Sequence, residues 1–549
     1  MIYDINGNAL SACFGIDGNA LTRAFDINGN IVFSADEEGL DFDSVGRVPQ
    51  LKLTIDETNV AQTYMGGFIE VQPDSWDGST VVTGDIVDNT DATAWGFPYS
   101  LSEDTRAAIK DEILSGGEYG IRYIRFPLGF GYRGYRNIDE TTGLARNIGE
   151  RWSGQNESLR NWFDAISAAG GGLAPEYWCC APHWLTGGAY YNEAVNNYLC
   201  AGGSYERTVS LASIRDTDPT QYAAQIEAFT DAVVDDLEYL HQNIAPVRMF
   251  GLNGEPEHAK TKYGKMGYED AQTYNDVLEV LWPKVQASEI LSTWNGQDNT
   301  VLLHVASSGE KPPFDGIAST FVANHADWVW GYSYDAYMTR INGSTVANAA
   351  EFYKEDAWIT GVKGNRDNVF TCEYEYFSDV VVDEYRIGNN MNRLAYELVY
   401  GGAKVIMPII HICKPAGQDS YDTNTRGYCL YATDLADGSY TTNDWAYRSW
   451  KMFNDNLPVG AEILGGYGCG SYTGFVVARY KGKLILLMSM SYLGWNGNGA
   501  EVILTFSKAK TFTGKAYSLE YCGDKVKSKT GTTITFKVPP GTGIVWHEQ

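Results

Sequence analysis

From about residue 63 to residue 450 short apolar runs alternate with amphipathic stretches, and this alternation restricts the possible folds more than any other feature. IRYIRFPLG (121–129) follows the helical pattern TRAAIKDEILS, and LAPEYWCCA (173–181) follows NWFDAISAAG. Between 219 and 242, Tyr222, Ile226, Phe229, Val233, Leu237 and Leu240 fall on one helical face and lead into VRMFGLN (247–253). VLLHVAS (301–307), WVWGYSYDAY (328–337), NVFTCEYE (368–375) and KVIMPIIHI (404–412) continue the series. Strands that alternate with helices pair in parallel. About eight such units over residues 63–450 predict a (β/α)8 TIM barrel with long loops.

The flanking segments read differently. From about residue 455 the helical periodicity stops, and GFVVARYKGKLILLMSMSYL, AEVILTF, KAYSLEYCGDKVKS and TITFKVPPGTGIVW alternate strands with turns. Residues 455–549 are therefore expected to form a C-terminal β-sandwich, and a strand in 46–62, around LKLTIDE, to join it. DEEGLDFDSVG (36–46) reads as an acidic linker. Ahead of it YDINGN (3–8), FGIDGN (14–19) and FDINGN (25–30) repeat with a period of 11 residues. Asn-Gly and Asp-Gly favour type I′ turns, so residues 1–40 are expected to form a small β-meander of about three turns. Such a segment buries too little to stand alone, which points to oligomerisation or to attachment at a surface or virion.

Composition narrows the function classes. The 549 residues carry 41 basic and 69 acidic side chains, a formal net charge of −28. That surface repels phosphate backbones, so no nucleic-acid partner is expected, and neutral or cationic ligands are favoured. No run approaches the ~18 apolar residues of a membrane span, so no membrane insertion is expected. MIYDINGNAL has neither a basic nor a long apolar leader region. An extracellular, surface- or virion-attached location is the expectation, with the cytoplasm as the alternative. The nine cysteines include no CxxC pair, and HExxH, P-loop and GxSxG patterns are absent, so neither a metal nor another cofactor is expected. Aromatic residues are abundant, with 15 Trp, 37 Tyr and 21 Phe. Flat rings with polar tips suit sugar rings edged by hydroxyls, and they equally suit a large core.

In a (β/α)8 barrel the reacting groups sit at the C-terminal ends of the strands. Two glutamates meet that condition: Glu255, in NGEPE after strand four, and Glu373, in FTCEYE on strand seven, 118 residues apart (255 to 373). Paired carboxylates cleave glycosidic bonds without a metal: one protonates the leaving oxygen, the other attacks C1 or activates water. A glutamate before proline also serves as a helix cap, so position alone leaves alternatives open. Glu257 and Asp335 are alternative acids, and Glu375, on the same strand face as Glu373, is an alternative nucleophile.

Four segments together resemble glycoside hydrolase family 30, of the retaining (β/α)8 clan: IRYIRFPLG, YWCCAPHWLTGG, LNGEPEH and FTCEYE, in that order. PPGTGIVW near the end resembles that family's side domain, and the likeness covers roughly residues 46–549. The resemblance implies Glu255 as general acid/base, Glu373 as nucleophile, and Arg125 as the cation that keeps Glu373 ionised. It places Trp178, His183 and Trp184 along the cleft and suggests that Tyr334 donates its hydroxyl to Glu373. Three features depart from the family pattern, and one of them is that strand six lacks the family's usual His. Gly254, not Asn, precedes Glu255, with Asn253 one residue further back, and His411 occupies strand eight where Trp is usual. These residues make the sugar-binding roles of Asn253 and His411 particular to this chain. The implied activity is retaining hydrolysis of a β-linked oligo- or polysaccharide. The competing class is a non-catalytic glycan-binding or attachment protein on the same scaffold.

Overall fold

The computed structural model describes residues 13–14, 20–21, 23–25, 31–34, 39–43, 50–70, 103–113, 118–128, 163–177, 211–254, 270–307, 318–337, 368–375, 383–415, 429–433, 439–464, 473–490 and 499–549. Its centre is a parallel sheet: β1 (Gly66–Glu70), β2 (Ile121–Leu128), β3 (Gly172–Tyr177), β4 (Met249–Asn253), β5 (Leu302–Ser307), β6 (Val329–Tyr337) and β7 (Val369–Glu375), hydrogen-bonded in chain order. The eighth position is shared by β8 (Val405–Ile406) and β9 (His411–Pro415), both parallel to β1. KVIMPIIHI reads as one strand in the sequence, but it breaks into bends at 408–410. Pro408 has no N–H to give the ladder. Two further strands, Cys429–Thr433 and Tyr440–Thr442, extend the sheet beyond β9.

Helices follow the strands. They are α1 (Glu103–Ile113), a short helix at 163–168, a second short helix at Leu211–Thr217, α2 (Pro219–Asn243), α3 (Ala271–Ala287), α4 (Ser319–Asn324), α5 (Asp383–Tyr396) and, after the last strand, α6 (Asp444–Asn454). Local chemistry explains where α2 begins: the Asp218 side chain accepts from Gln221 N and Pro219 occupies the first turn. The face expected from the sequence, Tyr222, Ile226, Phe229, Val233, Leu237 and Leu240, is buried in full.

The sheet is rolled, and side-chain reach proves it. In a flat sheet β2 and β7 would lie five spacings, about 24 Å, apart, yet Arg125 on β2 meets Glu373 on β7 at 2.5 Å. One interior cluster draws on every strand position: Phe68, Tyr123, Ala174, Met249, Leu302, Trp330, Phe370 and Val405. Alternate residues point outward to the helices, as Ile69, Ile124, Leu173, Phe250, Leu303 and Tyr332 do. Among the described residues no ladder joins β7 to β8, where Lys404 N instead donates to Asn368 Oδ1 at 2.8 Å.

The side domain is one hydrogen-bonded sheet of eight strands. Its longest members, Ala500–Tyr517 and Cys522–Val538, pair antiparallel through an irregularity between Thr505 and Lys510. Gln50–Thr54 adds to Ala500–Tyr517 in parallel, and Val60–Thr63 pairs with Glu462–Leu464. One face closes over Phe475, Val477, Leu486, Val502, Phe536 and Trp546. The other packs on the barrel helices, where Asn392 of α5 accepts from Gly474 N (3.0 Å) and Ser489 Oγ (2.6 Å). Residues 39–43, read as linker, are held on this sheet. Leu40 is buried and exchanges backbone bonds with Lys525 and Lys527, and Asp41 and Asp43 pair with Lys527 and Lys529. In front of them the described part of the repeats comprises two antiparallel ribbons, Cys13–Phe14 with Ala20–Leu21 and Arg23–Phe25 with Ile31–Ser34; the rest of the expected meander lies outside the described residues.

The start of β3 leaves no room for a side chain. A Cβ on Gly172 would lie 2.0 Å from the Pro246 carbonyl oxygen. Gly172→Ala is expected to cost at least the ~1–3 kcal/mol of an overpacked core, read as a lowered urea midpoint; an unchanged midpoint would contradict the close approach.

Candidate active site

Two residues beyond the apolar cluster, toward the C-terminal strand ends, the barrel interior turns polar. Glu70 follows Phe68 on β1, Arg125 follows Tyr123 on β2, Glu176 follows Ala174 on β3 and His304 follows Leu302 on β5. This is the strand period of two, one interior layer further up. Register confirms the level, since Glu70 stands opposite Arg125 and Glu176 opposite Gly251.

Glu373 reaches this layer through a bulge. Tyr334 pairs with Thr371 and Asp335 with Glu373, leaving Cys372 unmatched. Phe370 and Cys372 point inward, and Thr371 and Tyr374 point outward. Strict alternation would send Glu373 out with Thr371. The extra residue re-aims it into the barrel, a common use of bulges beside functional sites.

Arg125 is the hub. Its Nε donates to Glu176 Oε2 at 2.5 Å, and its Nη1 donates to Glu373 Oε1 at 2.5 Å, Glu70 Oε2 at 2.9 Å and, more distantly, Cys372 O at 3.4 Å. All four residues are almost completely buried, between 1% and 2% exposed. Burial opposes the charge on Arg125, but the fields of Glu176, Glu373 and Glu70 outweigh it and hold the guanidinium's pKa well above its usual value. His411 Nδ1 lies 3.5 Å from Glu70 Oε1, which puts His411 at the edge of this cluster. His304 Nδ1 meets Ser333 Oγ at 3.0 Å. Burial, and then the Arg125 charge, push His304 down to about 3, so its ring is neutral at ordinary pH.

Tyr334 belongs elsewhere. Its hydroxyl donates to Glu397 Oε1 at 3.0 Å, on the outer face of the barrel, where Glu373 was the acceptor expected from the sequence. Thr371 Oγ1 and Arg393 Nη1 (2.6 Å) share the same oxygen, and Arg393 lies 3.7 Å over the Tyr374 ring. Tyr334 is an outward residue of β6, one position after the inward Ser333, so it reaches the helix layer.

Glu255, Trp178, His183 and Trp184 lie outside the described residues, as does Glu257. β4 ends at Asn253, whose backbone alone is described, and buried Gly254 follows it. Asp335 and Glu375 are likewise placed only by backbone, on β6 and β7. Sequence reasoning missed Glu70, Glu176 and His304. Their signal was present, as each is a charged or polar residue inside an otherwise apolar strand: GGFIE, GLAPEY and LLHVAS. Among the described residues no group of three or more His, Cys, Asp and Glu is arranged to hold a metal.

The state of His304 carries a pH signature. It takes a proton near pH ~6.5 in the unfolded chain but only near 3 in the fold. Between those values the unfolded state binds more protons, so stability falls as pH drops through that window. His304→Gln is expected to flatten the decline of the urea midpoint between pH 7 and pH 4. His547, pushed to about 4 by burial and by Lys515, leaves a residual slope of the same sign. An unaltered slope in the variant would contradict the neutral, buried ring.

No protein-family model matches the sequence, and no curated protein matches it. Solved structures do. The chain is similar to a GH30 endoxylanase from Clostridium papyrosolvens C71, with TM-score 0.52 and 10% identity over 91% of this chain and 99% of that one. It is similar to the family 30 subfamily 8 xylanase Xyn30A from Clostridium acetobutylicum, with TM-score 0.54 and 13% identity over 91% and 99%. It is similar also to the endo-β1,6-glucanase BT3312, with TM-score 0.58 and 11% identity over 91% and 93%. At these identities the likeness is one of backbone, and the chain has the fold of glycoside hydrolase family 30 enzymes.

Proposed function

We propose that this protein is a retaining glycoside hydrolase that cleaves a β-linked oligo- or polysaccharide by double displacement. The observation that carries the reading is Glu373, bulged into the interior near the C-terminal end of β7 and ion-paired at 2.5 Å with Arg125 from β2. It is supported by a fold shared with xylanases and a glucanase. In the first step Glu373 bonds to the anomeric carbon as the bond from that carbon to the leaving oxygen breaks, and Glu255 gives that oxygen its proton. In the second, Glu255 takes a proton from water, whose oxygen displaces Glu373 with net retention. Arg125 holds the attacking carboxylate in place by a charge-assisted hydrogen bond. Trp178, His183, Trp184, Asn253 and His411 are assigned to substrate binding.

A non-catalytic glycan-binding role is the second reading. It is favoured by the burial of Glu373, only 2% exposed, since a nucleophile has to meet a sugar carbon. A screen of aryl β-glycosides and β-glycans separates the two. The hydrolase releases reducing ends, and Glu373→Gln, with an unchanged melting temperature, is expected to lower kcat by at least ~10⁴-fold, the loss of a residue that acts as nucleophile. Binding without release, or full activity in the variant, would favour the second reading.

The Asn-Gly ribbons support a role for residues 1–40 in oligomerisation or in attachment of an extracellular or surface-borne enzyme. Gel filtration with and without residues 1–35 reads this: an unchanged elution state, together with unchanged retention on the source surface, would count against it.

A further inference from the structure

We propose that Glu176 is a positioning residue for the hydrolytic step: by sharing Arg125 with Glu373, it loosens the guanidinium's hold on the nucleophile and keeps Arg125 charge-balanced once the glycosyl-enzyme has formed. The inference rests on the glycosidase reading above. Glu176 takes the Arg125 Nε at 2.5 Å, while Nη1 is divided between Glu373 and Glu70. The other oxygen of Glu176, Oε1, is buried with no hydrogen-bond partner among the described residues, and so is His304 Nε2. Both lie beside Gly251, where a Cβ would come within 3.1 Å of Glu176 Oε1 and 2.7 Å of His304 Nε2. A half-satisfied carboxylate at 1% exposure is costly. For packing alone, an apolar residue would serve this position better.

The reaction supplies a reason for the charge. When Glu373 bonds to the anomeric carbon and the leaving group departs with its proton, the carboxylate becomes a neutral ester. An arginine paired with Glu373 alone would then be left as a buried cation without a counter-ion, which would oppose the step. Here Glu176 and Glu70 remain, so ester formation relieves repulsion among three carboxylates and leaves the cation paired. The charged and titratable groups that face Glu176 among the described residues are Arg125 on β2, Glu70 on β1, Glu373 on β7, His304 on β5 and, beyond Glu70, His411 on β9. His304 adds no charge at neutral pH.

The test uses the full chain and an aryl β-glycoside that the wild type hydrolyses. Glu176→Gln keeps the shape and removes the charge, so Glu373 faces one fewer anion. The acid limb of the kcat/KM profile is expected to move down by about one pH unit, with kcat/KM on the plateau falling ~10-fold or more as Arg125 binds the nucleophile more tightly. Glu176→Asp keeps the charge and is expected to hold the limb near its wild-type position and to recover most of the plateau rate. A packing role alone would lower the melting temperature and leave the limb in place. An unmoved or raised limb in Glu176→Gln overturns the proposal, as does an equal shift in Glu176→Asp. If the Gln variant does not fold, Glu176→Ser is read against the same criteria. The two levels fail separately: a wild type that hydrolyses nothing sinks the glycosidase reading, whereas turnover that Glu373→Gln abolishes but whose acid limb ignores Glu176→Gln sinks only the role of Glu176.

Discussion

The structure depends on a single guanidinium. Arg125 reaches from β2 to carboxylates on its two neighbours, β1 and β3, and across the barrel to β7. At ~4 Å and an effective dielectric near 20, one pair of unit charges interacts by about 4 kcal/mol, and like charges in the same cluster oppose by a similar order. With one cation against three anions, these contributions come close to cancelling before the cost of taking all four groups out of water is counted. Such a cluster adds little net stability, but removing its one cation would leave charges stranded at a cost of about 3–5 kcal/mol. What it supplies is position: four strands are locked at one level, and one carboxylate is aimed at the barrel axis.

β7 serves two layers at once because of its bulge. Phe370, Cys372 and Glu373 point inward, while Thr371 and Tyr374 face the helices. On that outer side a second buried pair, Arg393 and Glu397, takes up Thr371 and Tyr334 and covers Tyr374. The two arginine networks grip the same strand from opposite faces. The register on which Glu373 depends is thereby fixed twice.

The outer network rests on α5, and α5 rests on the side sheet. Asn392 ties the helix to Gly474 and Ser489, and Met391 and Met452 crowd the position where a Gly543 side chain would stand. The side sheet gathers Gln50–Thr54 and Val60–Thr63 from before the barrel and the last ninety or so residues after it, with Leu40 bridged to Val526 at its edge. Support for the candidate nucleophile thus runs from β7 through α5 to a sheet built from both ends of the chain.

Much of this was legible in the sequence. Periodicity marked the alternation of strands and helices, the buried face of α2, and a strand-end carboxylate at Glu373, because burial on one face writes itself into neighbouring residues. Arg125 was singled out, and it does meet Glu373. The break at Pro408, the bulge at Cys372, the partnership of Tyr334 with Glu397, and the convergence of Glu70 and Glu176 on Arg125 were decided in three dimensions. The reason is physical. A residue's neighbours along the chain determine whether it forms strand or helix, but which face a bulged residue takes, and which charge it meets across a barrel, depends on register between strands separated by as many as 248 residues.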